Sequence, residues 1–341
     1  MERKLATLQR IKELRPIEGA DRIELAFIQG WQVVVQKGTH KVGDLVVFFE
    51  IDSLIPEGVP WGEFLGERRR IKTMKLRGAL SQGLIIPLSD VLVEGFDISK
   101  SLGVEKWLSP AEKAELNASG WGNSGGLMLP YFYDVPKTDE TRLQVAPEVL
   151  DELKVVNGFY ITEKLDGMSV TAYYDPDKDE LRYASRNHEI AKGALHGVGI
   201  KIDKYMTTHA IADALKAFPN LVFQGELIGP DIQGNRYGLS EVEWRIYQVY
   251  DRNEHRYVSV FDALRLCAEA GLQFVPFVVP QNLELTVDRL VQIATEVGGE
   301  GIVVRPTVET QSAIYGGRLS FKVINPEWLL KYDKDEENVS I

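Results

Sequence analysis

The sequence predicts an α+β protein of two domains, with a small β-barrel first and a larger mixed domain after it. Three observations carry this prediction. The chain has 341 residues, more than one typical core requires. Its first hundred residues show short strand-like runs. In the remaining two thirds, strands and helices do not alternate strictly, which argues against a doubly wound parallel sheet.

The N-terminal part contains Val- and Ile-rich runs separated by turn sequences such as Lys37-Gly38 and Val42-Gly43-Asp44. Several short strands at close spacing are typical of a small closed barrel. The predicted strands are Leu5–Ile11, Ile23–Ile28, Gln32–Gln36, Leu45–Ile51 and Gly83–Pro87.

A Gly-, Ser- and Asn-rich stretch, Asn117 to Gly126, has no apolar periodicity and indicates a linker. We therefore place the domains at 1–115 and 129–341, with a linker at 116–128. Helices are predicted at Ile200–Phe218, Val260–Ala270 and Val287–Val297. The predicted strands of this part are Phe159–Glu163, Ser169–Tyr174, Leu181–Ser185, Val222–Ile228, Arg245–Asp251, Gly301–Pro306 and Leu319–Val323.

The composition is that of an ordinary globular protein, with 44% apolar and 26% charged residues. No apolar run is long enough to span a membrane, and no apolar segment follows Met1 as in a secretory signal. Cys267 is the single cysteine, so an intrachain disulfide and a cysteine-based zinc site are excluded. We expect a cytoplasmic protein. Its net charge of −11 argues against nucleic acid only if no local basic patch exists.

The segment Glu163-Lys164-Leu165-Asp166-Gly167 follows an apolar strand and is the first candidate for chemistry. A lysine amine is nucleophilic only when deprotonated, so its pKa must be lowered by burial or by nearby positive charge. Gly167 allows a sharp turn and lets a ligand approach the backbone. The four-residue pattern from Lys164 to Gly167, Lys-x-Asp-Gly, also occurs by chance. A catalytic role for Lys164 therefore depends on the motifs that accompany it.

Further segments complete a set in a fixed order: Ser185-Arg186-Asn187, Gly225 to Gly229, Tyr247 to Asp251, Glu300 to Arg305, and Ser320 to Ile324. The array resembles motifs I, Ia, III, IIIa, IV and V of the covalent nucleotidyltransferases, which are the polynucleotide ligases and the mRNA capping enzymes. Together with the lysine segment, these motifs cover most of the chain from Phe159 to Ile324.

The resemblance implies that Lys164 attacks the α-phosphate of a nucleotide and forms a lysyl-phosphoramidate with release of pyrophosphate. Lys322 would neutralise that phosphate and help to lower the pKa of Lys164. Asp166, Glu226 and Glu300 would hold a divalent metal, Mg²⁺ or Mn²⁺, directly or through its waters.

The resemblance also implies how the nucleotide is bound. Glu163 would read the exocyclic amine of adenine, and Arg186 would contact phosphate or ribose through its planar fork. Glu226 or Asp166 would bind the ribose hydroxyls. Taken alone, Glu226 could be a surface acid, Glu300-Gly301 a simple turn, and Lys322 an outward-facing strand residue.

A tyrosine of the fourth segment would stack on the purine. Tyr247 and Tyr250 are three residues apart, so a regular strand would place them on opposite faces. At most one would then face the nucleotide, and the other would pack in the core. We take Tyr247 as the binding residue.

The order of the domains favours one branch of the superfamily. DNA ligases and capping enzymes carry an OB-fold domain after motif V, but here the chain ends soon after Lys322 and the barrel precedes the lysine. This order resembles the ATP-dependent RNA ligases of the Deinococcus and Naegleria type. The segments that resemble that group are Ile17 to Glu24, Val42 to Asp44, Glu50 to Ser53 and Lys137 to Gln144.

In the last of these segments we expect Lys137, Arg142 and Gln144 to shape the site or contact RNA phosphates. The alternative is a helix-capping turn with Asp139 as the cap. One departure from the family is Ser169, since some RNA ligases have asparagine five residues after the lysine.

A basic cluster lies in the barrel segment and contains no acid between its first and last members. It could be a solvated face, but beside an OB-type barrel a groove for a phosphate backbone is favoured. Trp31 or Trp61 would stack on a base or pack in the barrel. The candidate RNA-binding residues are Arg68, Arg69, Arg70, Lys72, Lys75 and Arg77.

The sequence thus predicts an N-terminal OB-fold RNA-binding domain and a C-terminal adenylyltransferase domain that together form an ATP-dependent RNA ligase. It would join 3′-OH and 5′-phosphate ends through lysyl-AMP and an adenylylated 5′-end, in RNA repair. Its cofactors would be ATP and a divalent metal, Mg²⁺ or Mn²⁺. Its partner would be RNA ends, in a nicked duplex or in single strands. The protein would be a monomer without membrane attachment. The alternatives are a capping-type guanylyltransferase, a DNA ligase and a non-catalytic OB-domain RNA-binding protein.

Overall fold

A computed structural model describes residues 3–67, 69–87, 93–108, 113, 128–193 and 197–332. The fold divides into two compact units. Unit 1 comprises Met1–Pro110, Arg142–Glu148 and Leu329–Ile341, and unit 2 comprises Ala111–Thr141 and Val149–Trp328. The predicted linker at 116–128 lies outside the described residues except for Met128, and the domain boundaries stay a prediction.

Unit 1 is built from short antiparallel strands, and all five strands predicted for it are present. Five strands were not predicted, β2, β6, β7, β8 and β10. Of these, β6 and β10 have only two residues each, and β2 is mostly exposed and lacks the buried face that gives a strand its alternating pattern. A 3₁₀ helix spans Pro60–Leu65. The strands are β1 (Ala6–Arg10), β2 (Glu13–Pro16), β3 (Ile23–Ile28), β4 (Trp31–Gln36), β5 (Leu45–Phe49), β6 (Ser53–Leu54), β7 (Thr73–Leu76), β8 (Ala79–Gln82), β9 (Leu84–Pro87) and β10 (Glu105–Lys106).

These strands pair in the orders β1-β5-β9 and β2-β3-β4, and β7 and β8 form a hairpin. Trp31 is fully buried, with its ring centroid 6.2 Å from that of Phe48. Trp61 stacks on Phe49 at 5.1 Å. Both tryptophans therefore pack within the barrel.

A buried ion cluster holds unit 1 together at Asp52. Its carboxylate lies 3.2 Å from Arg3 and 2.6 Å from Arg70. The Arg70 guanidinium also lies 3.5 Å from the ring centroid of Trp107. Burial by itself raises the pKa of Asp52, but Arg142, Arg3 and Arg70 outweigh it and lower the pKa to about 2.

Unit 2 contains two antiparallel sheets. The larger one has the strand order β11-β16-β15-β14-β17-β18-β19, with β20 parallel to β18. The smaller one has β24, β21 and β13 side by side. Strand β12 spans the point in the sequence at which the first segment of unit 2 ends, at Thr141, and unit 1 continues, at Arg142. The strands are β11 (Met128–Pro130), β12 (Thr141–Arg142), β13 (Phe159–Lys164), β14 (Met168–Asp175), β15 (Glu180–Ala184), β16 (His188–Ile190), β17 (Leu221–Ile228), β18 (Glu243–Asp251), β19 (Arg256–Tyr257), β20 (Gln273–Phe274), β21 (Gly301–Pro306), β22 (Gln311–Ser312), β23 (Gly317–Arg318) and β24 (Phe321–Ile324).

Helices cover one face of the larger sheet, where Leu215, Leu266 and the buried Cys267 pack against the strands. Within the described part of the chain, no helix is long and apolar enough to cross a membrane. A 3₁₀ helix covers Leu143–Val145 and another Gln233–Asn235. The α-helices are α1 (Val149–Lys154), α2 (Gly197–Thr208), α3 (Ile211–Lys216), α4 (Val260–Glu269), α5 (Val287–Val297) and α6 (Pro326–Tyr332).

The prediction of one helix at Ile200–Phe218 is wrong, because two helices lie there. Ala210 between them has a left-handed backbone, with φ 53° and ψ 28°. The hydroxyls of Thr207 and Thr208 donate to backbone carbonyls of the preceding turn, which favours an ending there. The break lets both helices pack their apolar faces on the same sheet.

The Asp52 cluster gives a pH-dependent contribution to stability. The folded pKa of Asp52 is about 2 against 3.8 for an unperturbed aspartate, so its contribution is present above pH 3.8 and is lost as the pH falls toward 2. At 1.36 kcal/mol per unit, Asp52→Asn should lower the free energy of unfolding by about 2 kcal/mol at neutral pH. Urea unfolding at pH 7, 4 and 3 measures this difference, which should shrink below pH 4.

The exposed Asp21→Asn variant is the matched control and should equal the wild type throughout. A difference for Asp52→Asn that stays constant from pH 7 to 3 would contradict the assignment.

Candidate active site

Lys164 lies at the end of β13, and strand register brings it close to Lys322. Gly301 of β21 pairs with Lys164 on one side and with Ile324 of β24 on the other. Two residues along, Val303 pairs with both Thr162 and Lys322. Directly paired residues share a face, so both lysines point to the same side of the smaller sheet.

Gly301 is required by this geometry. Its φ is 157°, and a Cβ there would lie 2.2 Å from the carbonyl oxygen of Val323. Any side chain would push β24 away from β21 and move Lys322 away from Lys164.

Lys164 forms a short ion pair with Glu300, with 2.5 Å between Nζ and Oε2. Burial by itself lowers the pKa of Lys164, but Glu300, Glu226 and Asp166 outweigh burial and raise it. This charge balance keeps Lys164 protonated. The burial of Glu300 raises the pKa of that carboxyl, and Lys164 and Lys322 oppose the shift.

Each of the three carboxylates expected to hold a metal has a protein donor. The Asp166 carboxylate accepts from Arg236 and, at 3.2 Å, from the indole N–H of Trp328. Glu226 accepts from the Gly167 amide at 3.1 Å. Among the described residues, no group of three acidic, His or Cys side chains converges as a ready metal site.

The carboxylates nevertheless act on one another electrostatically. Burial, with a smaller contribution from Glu300 and Asp166, raises the pKa of Glu226 to about 8 against the opposing effect of Lys164. A cation near Glu226 and Glu300 would relieve this repulsion, so the charge of these acidic side chains suits a divalent metal.

The turn after Lys164 is held by the loop that contains Arg236 and Tyr237, two residues that were not predicted from the sequence to lie at the site. Tyr237 accepts a hydrogen bond from the Asp166 amide at 2.6 Å, beside Arg236 on the same loop. The rings of Tyr237 and Trp328 stack at 5.9 Å. A Cβ on Gly167 would lie 2.3 Å from the Leu227 carbonyl oxygen, so only glycine fits the turn. The clustered turn residues before Arg236 were the available signal for this loop.

A β-bulge places Tyr247 in the site. In the pairing of β17 with β18, Gln224 pairs with Gln248 and Gly225 with Ile246, so Tyr247 is the extra residue. Its hydroxyl lies 3.2 Å from that of Ser169, which pairs with Glu226 across the strands.

The bulge also overturns the expectation that Tyr247 and Tyr250 face opposite sides. Ile246 and Val249 both pack on the helix-covered face of the sheet. Tyr247 follows Ile246 and Tyr250 follows Val249, so both tyrosines face the other way. Tyr250 shares that face with Tyr247 but packs in a core cluster with Tyr173 and Val222. Tyr250 is thus a core residue, although for a different reason from the one predicted.

The remaining nucleotide residues lie near the site or at its edge. Glu163 stands beside Lys164, and its burial raises its pKa while Arg245 opposes the shift. Arg186 is about half exposed and forms an ion pair with Asp139. Asp139 therefore does not cap a helix, and the segment that follows is a strand and a 3₁₀ helix whose N-cap is Arg142.

The structure assigns Lys137 to one unit and Arg142 and Gln144 to the other. Lys137 is exposed and donates to Asn187 at 3.3 Å. Arg142 lies 3.9 Å from Asp52. Gln144 is 2% exposed, and its carbonyl accepts from the Gly30 amide at 3.0 Å. Its side chain is buried within unit 1.

The basic cluster does not form one continuous face. Arg68 lies outside the described residues. Arg69 pairs with Glu57 at 2.9 Å, and the Arg70 side chain is only 7% exposed in the Asp52 cluster. Lys72 is half-buried, whereas Lys75 and Arg77 are exposed at the tip of the β7–β8 hairpin.

Comparisons with known proteins agree with this architecture. An OB-fold domain family matches residues 5–88, and an RNA ligase family matches residues 157–324. A variant of Naegleria gruberi RNA ligase with ATP and Mn matches at 28% identity and TM-score 0.79, over 97% of this chain and 99% of that chain. A variant with AMP and Mn matches at 27% and 0.78, and the enzyme with PPi at 28% and 0.76, each with the same coverage. The comparison with curated proteins finds no match.

These matches confirm the predicted fold class, with the OB-fold domain preceding the ligase domain. The two family models follow each other in the order predicted from the sequence, and the structural match extends over nearly the whole chain. Residues 157–324 therefore match the RNA ligase family behind an OB-fold region at 5–88, and the fold is similar to that of Naegleria gruberi RNA ligase over 97% of the chain.

Proposed function

We propose that this RNA ligase uses ATP and works through a covalent Lys164–AMP intermediate. The observation that carries the proposal is the shared face of Lys164 and Lys322, with Glu226 and Glu300 close by. A nucleophilic amine, a second cation and carboxylates in one site suit nucleotidyl transfer. The solved relatives with ATP or AMP and Mn support the choice of nucleotide and of a divalent metal.

In the first step, the bond from Lys164 Nζ to the α-phosphorus forms as the bond to the β-phosphate bridge breaks, and pyrophosphate leaves. Lys164 must first lose a proton, and Glu300 is positioned to accept it through their 2.5 Å contact. Lys322 would neutralise the α-phosphate. A divalent metal near Glu226 and Glu300 would add charge neutralisation when bound, with Asp166 reached through water.

In the second step, AMP passes from Lys164 to the 5′-phosphate of an RNA strand. In the third, an RNA 3′-OH attacks that phosphorus, the phosphodiester forms and AMP leaves. For the nucleotide, we assign Glu163 to the adenine amine, Tyr247 to the base, Arg186 to phosphate or ribose and Gly167 to close backbone approach.

The proposed substrate is RNA ends, in a nicked duplex or in single strands, joined by a monomer in RNA repair. A cytoplasmic location stays a prediction from the sequence. Of the predicted RNA-binding residues, those with exposed charge are best placed for the backbone. Lys75, Arg77 and Lys137 form this group. Arg69 and Lys72 are partly buried, and Arg68, which lies outside the described residues, stays a prediction from the sequence. Arg70, Arg142 and Gln144 would act by shaping unit 1.

Incubation with α-labelled ATP tests the covalent step. The wild type should retain label through denaturation, and Lys164→Ala should retain none because no other amine occupies its place. The exposed Lys154→Ala variant is the control and should be labelled like the wild type. Retention of label by Lys164→Ala would sink the assignment, and labelling by GTP in place of ATP would select a capping-type guanylyltransferase.

A nick-sealing assay with RNA or DNA at the 3′-OH strand tests the substrate class. We expect faster sealing of the RNA-ended nick, because the 2′-OH is the group that distinguishes the two polymers. Equal rates on both nicks, measured with pre-adenylylated 5′-ends to bypass the first step, would favour a DNA ligase.

The hairpin tip provides a test of RNA binding. Lys75→Ala/Arg77→Ala should weaken RNA binding and reduce the salt dependence of the affinity by about 0.7 to 0.9 per lost phosphate contact. ATP labelling of Lys164 should not change. Lys37→Ala/Lys41→Ala, which removes two exposed lysines elsewhere in unit 1, is the matched control. An unchanged salt slope in the hairpin variant would exclude this surface.

A further inference from the structure

Four consecutive residues upstream of Lys164, Lys137 to Glu140, contact residues in or next to the segments that resemble nucleotide motifs. We call this segment the strap. The contacts are Lys137 with Asn187 at 3.3 Å, Thr138 with Ser169 at 3.1 Å, Asp139 with Arg186, and Glu140 with Arg305 at 2.9 Å.

The strap is anchored at its Glu140 end. The Asp139 and Arg186 side chains are 52% and 48% exposed, whereas those of Glu140 and Arg305 are 12% and 3% exposed. Arg305 donates to one oxygen of Glu140 twice, from Nε at 3.2 Å and from Nη2 at 2.9 Å. Exposed pairs exchange readily with water, but a buried and doubly hydrogen-bonded pair keeps one geometry.

Arg305 connects the strap to the face that carries the lysines. It pairs with Tyr160 in β13, so it lies on the same side of the smaller sheet as Lys164. Its guanidinium carbon is 5.7 Å from the ring centroid of Tyr247 on the larger sheet. Its buried Nη1 has no hydrogen-bond partner among the described residues.

The strap reaches Tyr247 from a second side as well. Thr138 contacts the Ser169 hydroxyl, which lies 3.2 Å from the Tyr247 hydroxyl. The ring expected to stack on the base is therefore held at its hydroxyl through Thr138 and at its face by Arg305. Both supports depend on where Glu140 fixes the strap.

A contribution to stability is a weak explanation for this pair. Burying two charges costs about as much as their attraction returns, so a buried ion pair adds little net stability over apolar residues. What it does supply is a single geometry, because removing either partner leaves an uncompensated buried charge.

We propose that Glu140 and Arg305 are positioning residues for the nucleotide, which act through the strap and Tyr247 and do not touch the reacting atoms. The proposal rests on the proposed function, since it assumes that ATP binds against Tyr247.

The test compares Lys164 labelling rates across ATP concentrations. Glu140→Gln keeps the shape of the side chain but loses its charge, and Arg305→Lys keeps charge but loses the planar fork. Each should raise the KM for ATP about tenfold and leave the maximal rate within about twofold, since binding geometry and not the chemical groups is altered. The double variant Glu140→Gln/Arg305→Lys should resemble the single variants, because the two residues act as one unit.

Glu189→Gln is the matched control. Arg182 donates to Glu189 at 2.7 and 2.6 Å, and the Glu189 side chain is 11% exposed, close to the 12% of Glu140. None of the side-chain hydrogen bonds of this pair within the described residues involves a strap residue. This variant should lose thermal stability to a similar degree and keep the wild-type KM. A Glu140→Gln variant with wild-type KM and a lowered melting temperature would overturn the proposal.

Two further outcomes are distinguishable. If Glu140→Gln does not fold, Arg305→Lys is read alone, and a wild-type KM in that variant overturns the proposal. If the wild type itself takes no label from ATP, the proposed function fails. Binding of a fluorescent ATP analogue to Glu140→Gln and Glu189→Gln then decides the strap's role, and equal affinities would overturn it.

Discussion

The partly buried charge of Lys164 is the constraint on which the rest of the site depends. An ammonium group removed from water needs a close partner, and Glu300 supplies it at 2.5 Å. Glu226 and Asp166 lie close by, and each accepts from a donor of the protein, the Gly167 amide and Arg236 respectively. Under the proposed function, the Lys164–Glu300 pair opens before the amine attacks.

The two sheets of unit 2 fix the positions of the side chains in this site. The smaller sheet sets the distance between Lys164 and Lys322 through close strand contact at Gly301. The larger sheet directs Glu226 and Tyr247 to one face, and for Tyr247 this depends on a single bulge. Buried polar contacts, such as Arg318 with Gln248 at 2.7 Å, continue along that face.

The arginines show why a count of basic residues is a poor measure of an RNA surface. Arg70 and Arg305 are almost fully buried and neutralise acids of the protein itself. At the hairpin tip, in contrast, Lys75 and Arg77 keep their charges in water. The net charge of −11 therefore does not exclude RNA, because the field that a phosphate backbone meets is local.

The sequence by itself determined the fold class, twelve of the 24 strands that the structure describes and the candidate nucleophile, because alternation along a strand and motif order are local properties of the chain. It placed α5 at Val287–Val297 within its true bounds. Tertiary structure alone decided the contacts that depend on pairing distant segments. These are the bulge at Tyr247, the hold of Arg236 on Asp166 and the anchoring of the strap by Arg305. One extra residue in a strand changes which side chains share a face, and no periodicity in the sequence marks it.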